Sequence, residues 1–174
     1  LPVTRIRATG ENPAEPIFYL EGGPGMSNMH NQPPAGLLVN HDYVMIGYRG
    51  VDGSGVLDCP EINEAVKGDG NDVLNEQSRA GMAEASRQCA QRLQSEGVDL
   101  DGYTVEEVAA DMNAGRIALG YERINLLSAS YGTRVAQIYA YQYTDHIQRS
   151  AMVGVNPPGG FLWEPSRIDS QIED

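Results

Sequence analysis

A serine between small neighbours is the residue whose surroundings point most clearly to chemistry. Ser130 lies in the pentapeptide Ser128–Gly132, after the apolar run Ile124–Leu127 and before a segment rich in Ala and Val. A strand that turns sharply into a helix exposes such a serine, and the strained turn needs small residues two positions away on either side. The pattern predicts a nucleophile at Ser130, with Gly132 allowing the turn. The amide of Tyr131 would then face developing negative charge from a helix N-terminus. A tight turn without chemistry is the competing interpretation.

A glycine-rich segment supplies the second group that this chemistry requires. Gly22, Gly23 and Gly25 follow the apolar run Ile17–Leu20. Glycines let the backbone approach a substrate without interference from side chains, and Pro24 has no amide to donate. We therefore expect the Gly23 amide to be the second donor of an oxyanion hole, an interpretation that competes with an ordinary β-turn.

Two acidic residues lie near these loops. Glu21 directly precedes the glycines, where it would either bind the free amine of a peptide substrate or be a solvated or paired carboxylate. Asp52 lies in a second glycine-rich loop, Arg49–Gly55, which follows the apolar run Tyr43–Tyr48. A triad acid on this kind of turn comes after the serine in the sequence. The position of Asp52 before Ser130 therefore favours a role in bracing the loop.

The histidines do not complete the pattern. The expected order is serine, acid and then histidine, but His146 is the only histidine after Ser130 and directly precedes a predicted strand. His41 also precedes a strand, and His30 follows the glycine-rich segment. A serine hydroxyl without a base is a poor nucleophile at neutral pH. We therefore expect this chain alone to be inactive or nearly so.

Apolar runs bounded by glycine and proline predict a series of strands between helices. The predicted strands are Val3–Thr9, Ile17–Leu20, Tyr43–Tyr48, Ile124–Leu127 and Ile147–Val155. Pro13 and Pro16 are expected to separate the first two strands. This order predicts an α/β fold with a mostly parallel sheet that helices cover on both faces. The loops after the strands would then converge at one edge, where open sheets bind ligands.

Three segments carry helix-forming residues. Helices are predicted over Asn75–Ser95, from Thr104 to Gly120, and over Thr133–Tyr143. Thr104 is expected to cap the second of these, with Glu107 three residues later. Its buried stripe would include Val108, Met112, Ile117 and Leu119. Residues 61–74 are predicted to form a polar excursion on the surface, and residues 161–174 to form a loop, with the start of a helix after Pro165 as an alternative.

Composition excludes some partners. The chain has 12 Lys and Arg against 24 Asp and Glu, a net charge of -12, which argues against nucleic acid and against anionic membrane surfaces. No apolar run approaches the roughly 18 residues that span a bilayer. No cofactor is implied. Cys59 and Cys89 are either two buried thiols or a disulfide, and two cysteines alone do not form a structural zinc site.

Four stretches together resemble the proline iminopeptidase and tripeptidyl aminopeptidase family of α/β-hydrolases. They are Tyr19–Gly25, Gly47–Gly55, the positions Tyr103-Thr104, Ala109–Asp111 and Leu119-Gly120, and Asn125–Thr133. The match covers most of residues 16–158. Glu21 stands where the family has histidine or another residue, and Ser128 stands where it has glycine.

The resemblance implies an α/β-hydrolase fold of which residues 1–174 are the N-terminal part of one core domain. The cap and the C-terminal segment with the triad acid and histidine would lie outside it. Ser130 would attack, the amides of Gly23 and Tyr131 would hold the oxyanion, and Arg49 would brace the oxyanion loop. The family's secreted branch often pairs cysteines in this region, which favours a disulfide between Cys59 and Cys89 and a secreted or periplasmic location.

The function that the resemblance implies is a serine hydrolase, similar to proline iminopeptidases, that releases small residues, often proline, from peptide N-termini through an acyl-enzyme. A carboxylesterase of the same fold is one alternative, and a non-catalytic binding protein of the same fold is another. The expected partners are a peptide or ester substrate and a C-terminal polypeptide segment that completes the triad. The chain would then be one product of a split hydrolase, a truncated piece or a degenerate hydrolase.

Overall fold

The described part of the chain, residues 1–68 and 75–157 of the computed structural model, forms one sheet of five strands. The strands are β1 Val3–Ile6, β2 Ala14–Leu20, β3 His41–Ile46, β4 Ile124–Ala129 and β5 Ile147–Val153. Their order across the sheet is β1-β3-β2-β4-β5. Strand β1 is antiparallel to β3, and the other neighbouring pairs are parallel. The predicted mostly parallel sheet is therefore confirmed.

Helices connect the strands. They are α1 Pro60–Gly68, α2 Glu76–Ser95, α3 Val105–Ala118 and α4 Tyr131–Gln142, with short 3-10 turns at Leu37–Val39, Leu100–Tyr103 and Thr144–His146. The Thr104 side chain accepts a hydrogen bond from the Glu107 amide, so the predicted cap of α3 is confirmed. Because α4 begins directly after Ser130, it starts two residues earlier than predicted and places its N-terminus at the serine.

Helix α1 forms the first part of the polar excursion that is predicted over residues 61–74. The structure has a helix up to Gly68, and residues 69–74 lie outside the described part of the chain. Pro60 at the first helical position has the backbone angle that a helix needs, and Glu61 in the first turn complements the helix dipole. Packing against α2 supplies what this short polar segment lacks in apolar residues.

Several predicted boundaries are also wrong. Strand β2 begins at Ala14 and includes Pro16, because a register shift between Ala14 and Ile17 accommodates the proline. Strand β1 ends at Ile6 and β5 ends at Val153. The predicted loop over residues 161–174 lies outside the described residues.

The two faces of the sheet are covered differently. Phe18 and Leu20 of β2 face the main core, to which α3 and α4 contribute buried residues such as Met112, Val135 and Tyr139. The alternate residues of the strand face a smaller cluster. The partly buried residues packed against that cluster include Leu37 and Leu38 of a 3-10 turn and Met29 of a loop. In the described residues, α3 and α4 thus cover one face, and the 3-10 turn and the loop with Met29 contact the other.

Helix α3 presents a narrower buried stripe than predicted. Val108 and Met112 are buried, but Ile117 is 62% exposed. Leu119 lies just beyond the last residue of the helix and packs partly buried against the main core. Within the described part of the chain, no helix has both the length and the apolar character needed to cross a membrane.

Candidate active site

Ser130 is the exposed tip of a tight turn between β4 and α4. Its backbone has φ 49° and ψ -120°, and it is the one residue other than glycine with positive φ among the described residues. Such a conformation costs about 1–3 kcal/mol and persists only where surrounding contacts hold it. The Ser130 amide donates to the Val153 carbonyl at 2.9 Å, and the Ser130 carbonyl accepts from the Thr133 amide at 2.9 Å and from its hydroxyl at 2.6 Å.

Gly132 allows this turn to lie directly against the end of β2. A Cβ atom built on Gly132 would lie 2.3 Å from the Leu20 carbonyl oxygen and 2.7 Å from that of Glu21. Both distances are to backbone, which cannot move aside as a side chain can. Glycine two residues after the serine is therefore a steric requirement, as the sequence pattern indicates.

The first glycine-rich loop lies beside the serine. A Cβ atom built on Gly22 would lie 3.0 Å from the Ser130 Cβ and 3.6 Å from the Ser130 Oγ. The next residue, Gly23, has φ 111° and precedes a cis peptide bond to Pro24. Parallel pairing of β2 with β4 explains the closeness, because Leu20 and Ser128 are register partners and both strands end at the same edge.

At the start of this loop, the amide and carbonyl of Glu21 and the amide of Gly22 all form hydrogen bonds. The Glu21 amide donates to Asn28 Oδ1 at 2.8 Å, and the Glu21 carbonyl accepts from the Tyr48 hydroxyl at 3.0 Å. The Gly22 amide donates to the carboxylate of Glu21 at 2.8 Å. Within residues 1–68 and 75–157, the amides of Gly23 and Tyr131 have no hydrogen-bond acceptor. The two amides predicted as oxyanion donors are thus among those left without an acceptor.

Asn28 holds the loop to the sheet. It is 1% exposed, and its amide nitrogen donates to the Tyr19 carbonyl at 3.0 Å and to the Ile46 carbonyl at 2.8 Å. Together with its bond to the Glu21 amide, this side chain joins the ends of β2 and β3. Sequence analysis missed Asn28, because a single asparagine in the loop after a strand carries no recognisable pattern.

Asp52 joins the two glycine-rich loops. Its carboxylate accepts from the Ser27 hydroxyl at 2.5 Å, from the Asn28 amide at 3.1 Å and from the Tyr48 amide at 2.8 Å. These contacts agree with the loop-bracing role that its position in the sequence indicates. With these three donors, the Asp52 carboxylate holds the two loops together.

Arg49 does not have the predicted contacts. Its guanidinium bonds both oxygens of Asp111 at 2.7 Å, the Glu107 carboxylate at 3.0 Å and the Gly102 carbonyl. Two of these partners are carboxylates of α3, and a planar guanidinium pairs with them in preference to neutral carbonyls. Among the described residues, Arg49 therefore braces the second loop against α3, while Asn28 and Asp52 hold the first loop.

Among the described residues, none of the three histidines forms a hydrogen bond with Ser130. His41 begins β3 and bonds the Glu15 carbonyl at 2.6 Å, and His146 precedes β5 and bonds the Glu122 carbonyl at 3.1 Å. Both are at the starting ends of parallel strands, opposite to Ser130. His30 is exposed. Within the described residues, the Ser130 hydroxyl has no hydrogen-bond partner.

Burial sets the ionisation of the tyrosines around the site. It raises the pKa of Tyr48, whose hydroxyl holds the Glu21 carbonyl, and the pKa of Tyr131 after the serine. Burial and then the hydrogen bond to Glu21 raise the pKa of Tyr19 to about 12. All three hydroxyls are therefore protonated at neutral pH, and those of Tyr48 and Tyr19 donate hydrogen bonds.

The cysteines form a disulfide, as the resemblance implies. Cys59 precedes α1 and Cys89 lies in α2, at a sequence separation of 30. Glu61 lies beside the two sulfur atoms, but thiols that are joined to each other are not thiolate ligands for a metal. The bond ties the α1–α2 excursion to the chain that leaves the second glycine-rich loop.

The sequence matches the family described as the alpha/beta hydrolase fold over residues 15–168. The chain belongs to the α/β-hydrolase family. Solved structures agree on the fold: an epoxide hydrolase from Bacillus megaterium superposes with a TM-score of 0.50 at 14% identity, covering 86% of this chain and 38% of that one. The epoxide hydrolase CorEH superposes with a TM-score of 0.50 at 15% identity, covering 95% and 48%.

Curated relatives of this α/β-hydrolase chain match nearly its whole length. It is 28% identical over 186 aligned residues to the tripeptidyl aminopeptidase of Streptomyces lividans and 27% identical to that of Streptomyces coelicolor. Each match covers 99% of this chain but 35% and 34% of the relative. The chain thus spans about a third of the length of the curated relatives it matches.

Proposed function

We propose that this chain is the nucleophile-bearing part of a serine hydrolase that releases residues from peptide N-termini. The observation that carries the proposal is the placement of Ser130. It is exposed on a strained turn, with Gly22 against it and the amides of Gly23 and Tyr131 without acceptors. That is the arrangement that acyl transfer through a serine requires.

In the proposed reaction, the Ser130 hydroxyl oxygen attacks the carbonyl carbon of the scissile bond and its proton passes to a general base. The carbonyl oxygen becomes negatively charged and accepts hydrogen bonds from the amides of Gly23 and Tyr131. The N-terminus of α4 adds a favourable dipole. As this intermediate collapses, the scissile bond breaks and the base gives its proton to the departing amine. The acyl-enzyme that remains is then hydrolysed by water.

The substrate class rests on the relatives. Both are named tripeptidyl aminopeptidases, and each aligns with 99% of the chain. From these relatives we infer that the protein that carries this chain cleaves short units from free peptide N-termini. The same machinery cleaves esters, so a carboxylesterase is the outcome that the substrate test below has to exclude.

The base and the acid of the triad are proposed to come from polypeptide outside these 174 residues. The relatives are about three times as long as the matched region. In the described residues, β5 has β4 as its single neighbour, so one edge of the sheet remains open for further strands. A segment added there would lie next to the strand whose Val153 carbonyl already holds Ser130.

A fluorophosphonate probe tests the nucleophile. The natural polypeptide that carries these residues is incubated with the probe, and the labelled peptide is identified by mass spectrometry. We expect labelling at Ser130, loss of labelling in Ser130→Ala, and normal labelling in Ser86→Ala, a change on the exposed surface of α2. A parent protein that is folded but unlabelled would instead indicate a non-catalytic binding protein.

A second experiment tests the substrate class. Rates are compared on tripeptide anilides with a free N-terminus, on proline anilide and on a short-chain nitrophenyl ester. An aminopeptidase cleaves anilides that have a free amine and loses the activity when that amine is acetylated. Cleavage of the ester alone would favour a carboxylesterase.

The missing segment is tested by mass and by deletion. An intact mass well above 18.9 kDa is expected for the natural polypeptide. Residues 1–174 expressed alone should remain unlabelled by the probe. Labelling of that piece at the rate of the longer protein would refute a base supplied from outside it.

A further inference from the structure

The carboxylate of Glu21 lies within the loop beside Ser130 and is bonded at both oxygens inside the chain. One oxygen accepts from the Gly22 amide at 2.8 Å, and the other accepts from the Tyr19 hydroxyl at 3.1 Å. Glu21 is half-buried. A carboxylate with two fixed donors has a defined orientation, which a solvated surface carboxylate does not have.

The bond to the Gly22 amide changes which backbone group remains available. The Glu21 amide donates to Asn28, and the Glu21 carbonyl accepts from the Tyr48 hydroxyl. The Gly22 amide donates to the Glu21 carboxylate. The Gly23 amide is the next donor along the chain. Because a peptide group is planar, the bond to the Gly22 amide fixes the Glu21–Gly22 peptide, from which the chain continues directly to the Gly23 amide.

Tyr19 holds the carboxylate from the sheet side. Its ring stacks on that of Tyr43 with centroids 5.9 Å apart and planes 25° apart. Its pKa is raised to about 12, chiefly by burial and next by the bond to Glu21, so the hydroxyl keeps its proton and donates. The Tyr43 hydroxyl donates in turn to Asn31 Oδ1 at 2.7 Å.

We propose that Glu21 is a positioning residue, whose carboxylate withdraws the Gly22 amide from the site and orients the Gly23 amide toward the oxyanion. The proposal rests on the proposed serine hydrolase function and names a residue on which its oxyanion hole depends. It differs from the amine-binding role considered for Glu21 in the sequence, because it acts on the enzyme's own backbone and so affects every substrate.

Two substitutions separate these roles. In Glu21→Gln, the amide oxygen can still accept from Gly22 and the amide nitrogen can donate to the Tyr19 oxygen, whereas Glu21→Ala loses both bonds. We expect Glu21→Ala to lower kcat about tenfold or more, with KM nearly unchanged, since misplacing one oxyanion donor acts in the transition state. Glu21→Gln should restore most of kcat.

The fall in kcat of Glu21→Ala should be the same on a nitrophenyl butyrate, which has no amine, as on an anilide with a free N-terminus. Rates are expressed per molecule titrated with the fluorophosphonate, so unfolded protein does not count. Tyr19→Phe, which keeps the ring and removes the donor, should lower kcat about threefold by the same route. Tyr43→Phe in the same stack is the matched control and should leave kcat unchanged.

Three results would overturn the positioning role. One is an equal rise in KM in Glu21→Ala and Glu21→Gln that is confined to substrates with a free amine, which assigns Glu21 to amine binding. Another is a normal kcat in Glu21→Ala, and the third is a normal kcat in Tyr19→Phe if Glu21→Ala does not fold. Labelling of Ser130 in the parent protein is measured separately, because its absence would contradict the hydrolase proposal itself.

Discussion

The two glycine-rich loops follow parallel strands and have similar compositions, but they contact different parts of the molecule. Gly22 of the first loop lies against Ser130, whereas Gly50 and Gly55 of the second lie against Tyr103. Strand β2 is the neighbour of β4, which carries Ser130 at its end, and β3 is one strand further away. Neighbouring strands are about 4.8 Å apart. Strand order, not glycine content, decides which loop meets the serine.

The loops also differ in what holds them. Asn28, which holds the first loop, is buried and bonds the ends of two strands. Arg49, which holds the second, is 23% exposed and bonds α3. We therefore expect changes around the second loop to alter stability with little effect on the serine, and changes around the first to alter both.

Removing the disulfide is the largest perturbation on the side of the second loop. The double change Cys59→Ser and Cys89→Ser should lower the free energy of unfolding by about 3 kcal/mol, because the unfolded chain is freed of a closed loop. Denaturant titration with and without reductant measures it. The rate of fluorophosphonate labelling at 25 °C should stay unchanged. A parallel fall in labelling would show that the excursion supports the serine as well.

Gly132→Ala perturbs the junction between the first loop and the serine. The added Cβ would meet two backbone oxygens, so the free energy of unfolding should fall by about 2–3 kcal/mol. Turnover should fall about 100-fold, since an ångström of misplacement has that cost. Gly81→Ala on α2 is the control: its Cβ meets nothing within 4 Å and should stabilise by about 0.5–1 kcal/mol. Normal turnover in Gly132→Ala would contradict the described junction.

Asp52→Ala tests the link between the loops. It leaves the amides of Asn28 and Tyr48 without their acceptor in a buried place, which should cost about 2 kcal/mol of unfolding free energy. Because Asn28 holds the first loop, kcat should fall as well. Thermal unfolding and steady-state kinetics measure the two effects, and the exposed Asp145→Ala serves as control. Loss of stability alone would show that the loops are independent.

Arg49→Lys should have the smallest effect. Lysine cannot pair with both oxygens of Asp111, and a partly exposed pair of this kind contributes about 1 kcal/mol. Labelling and turnover should remain at parent values, measured together with the denaturation midpoint. A kcat that falls in this variant would restore the idea that Arg49 supports the oxyanion loop.

The sequence predicted best where the physical cause is local. The turn at Ser130 needs small neighbours, the Thr104 cap needs one side chain and one amide, and the core strands need apolar runs. It failed where partners are distant in the chain. Arg49 pairs with Asp111, 62 residues away, and α1 forms against α2 although its own residues are mostly polar.

The sequence by itself determined the serine turn and the class of fold, because a strained turn and buried parallel strands each require particular residue types in order. Tertiary structure alone decided which loop would lie beside Ser130 and which amides would keep no acceptor. It also decided that Asn28 and Asp52, not Arg49, would hold that loop. Strand order and the direction of long side chains settle these matters, and neither is encoded in the spacing of residues along the chain.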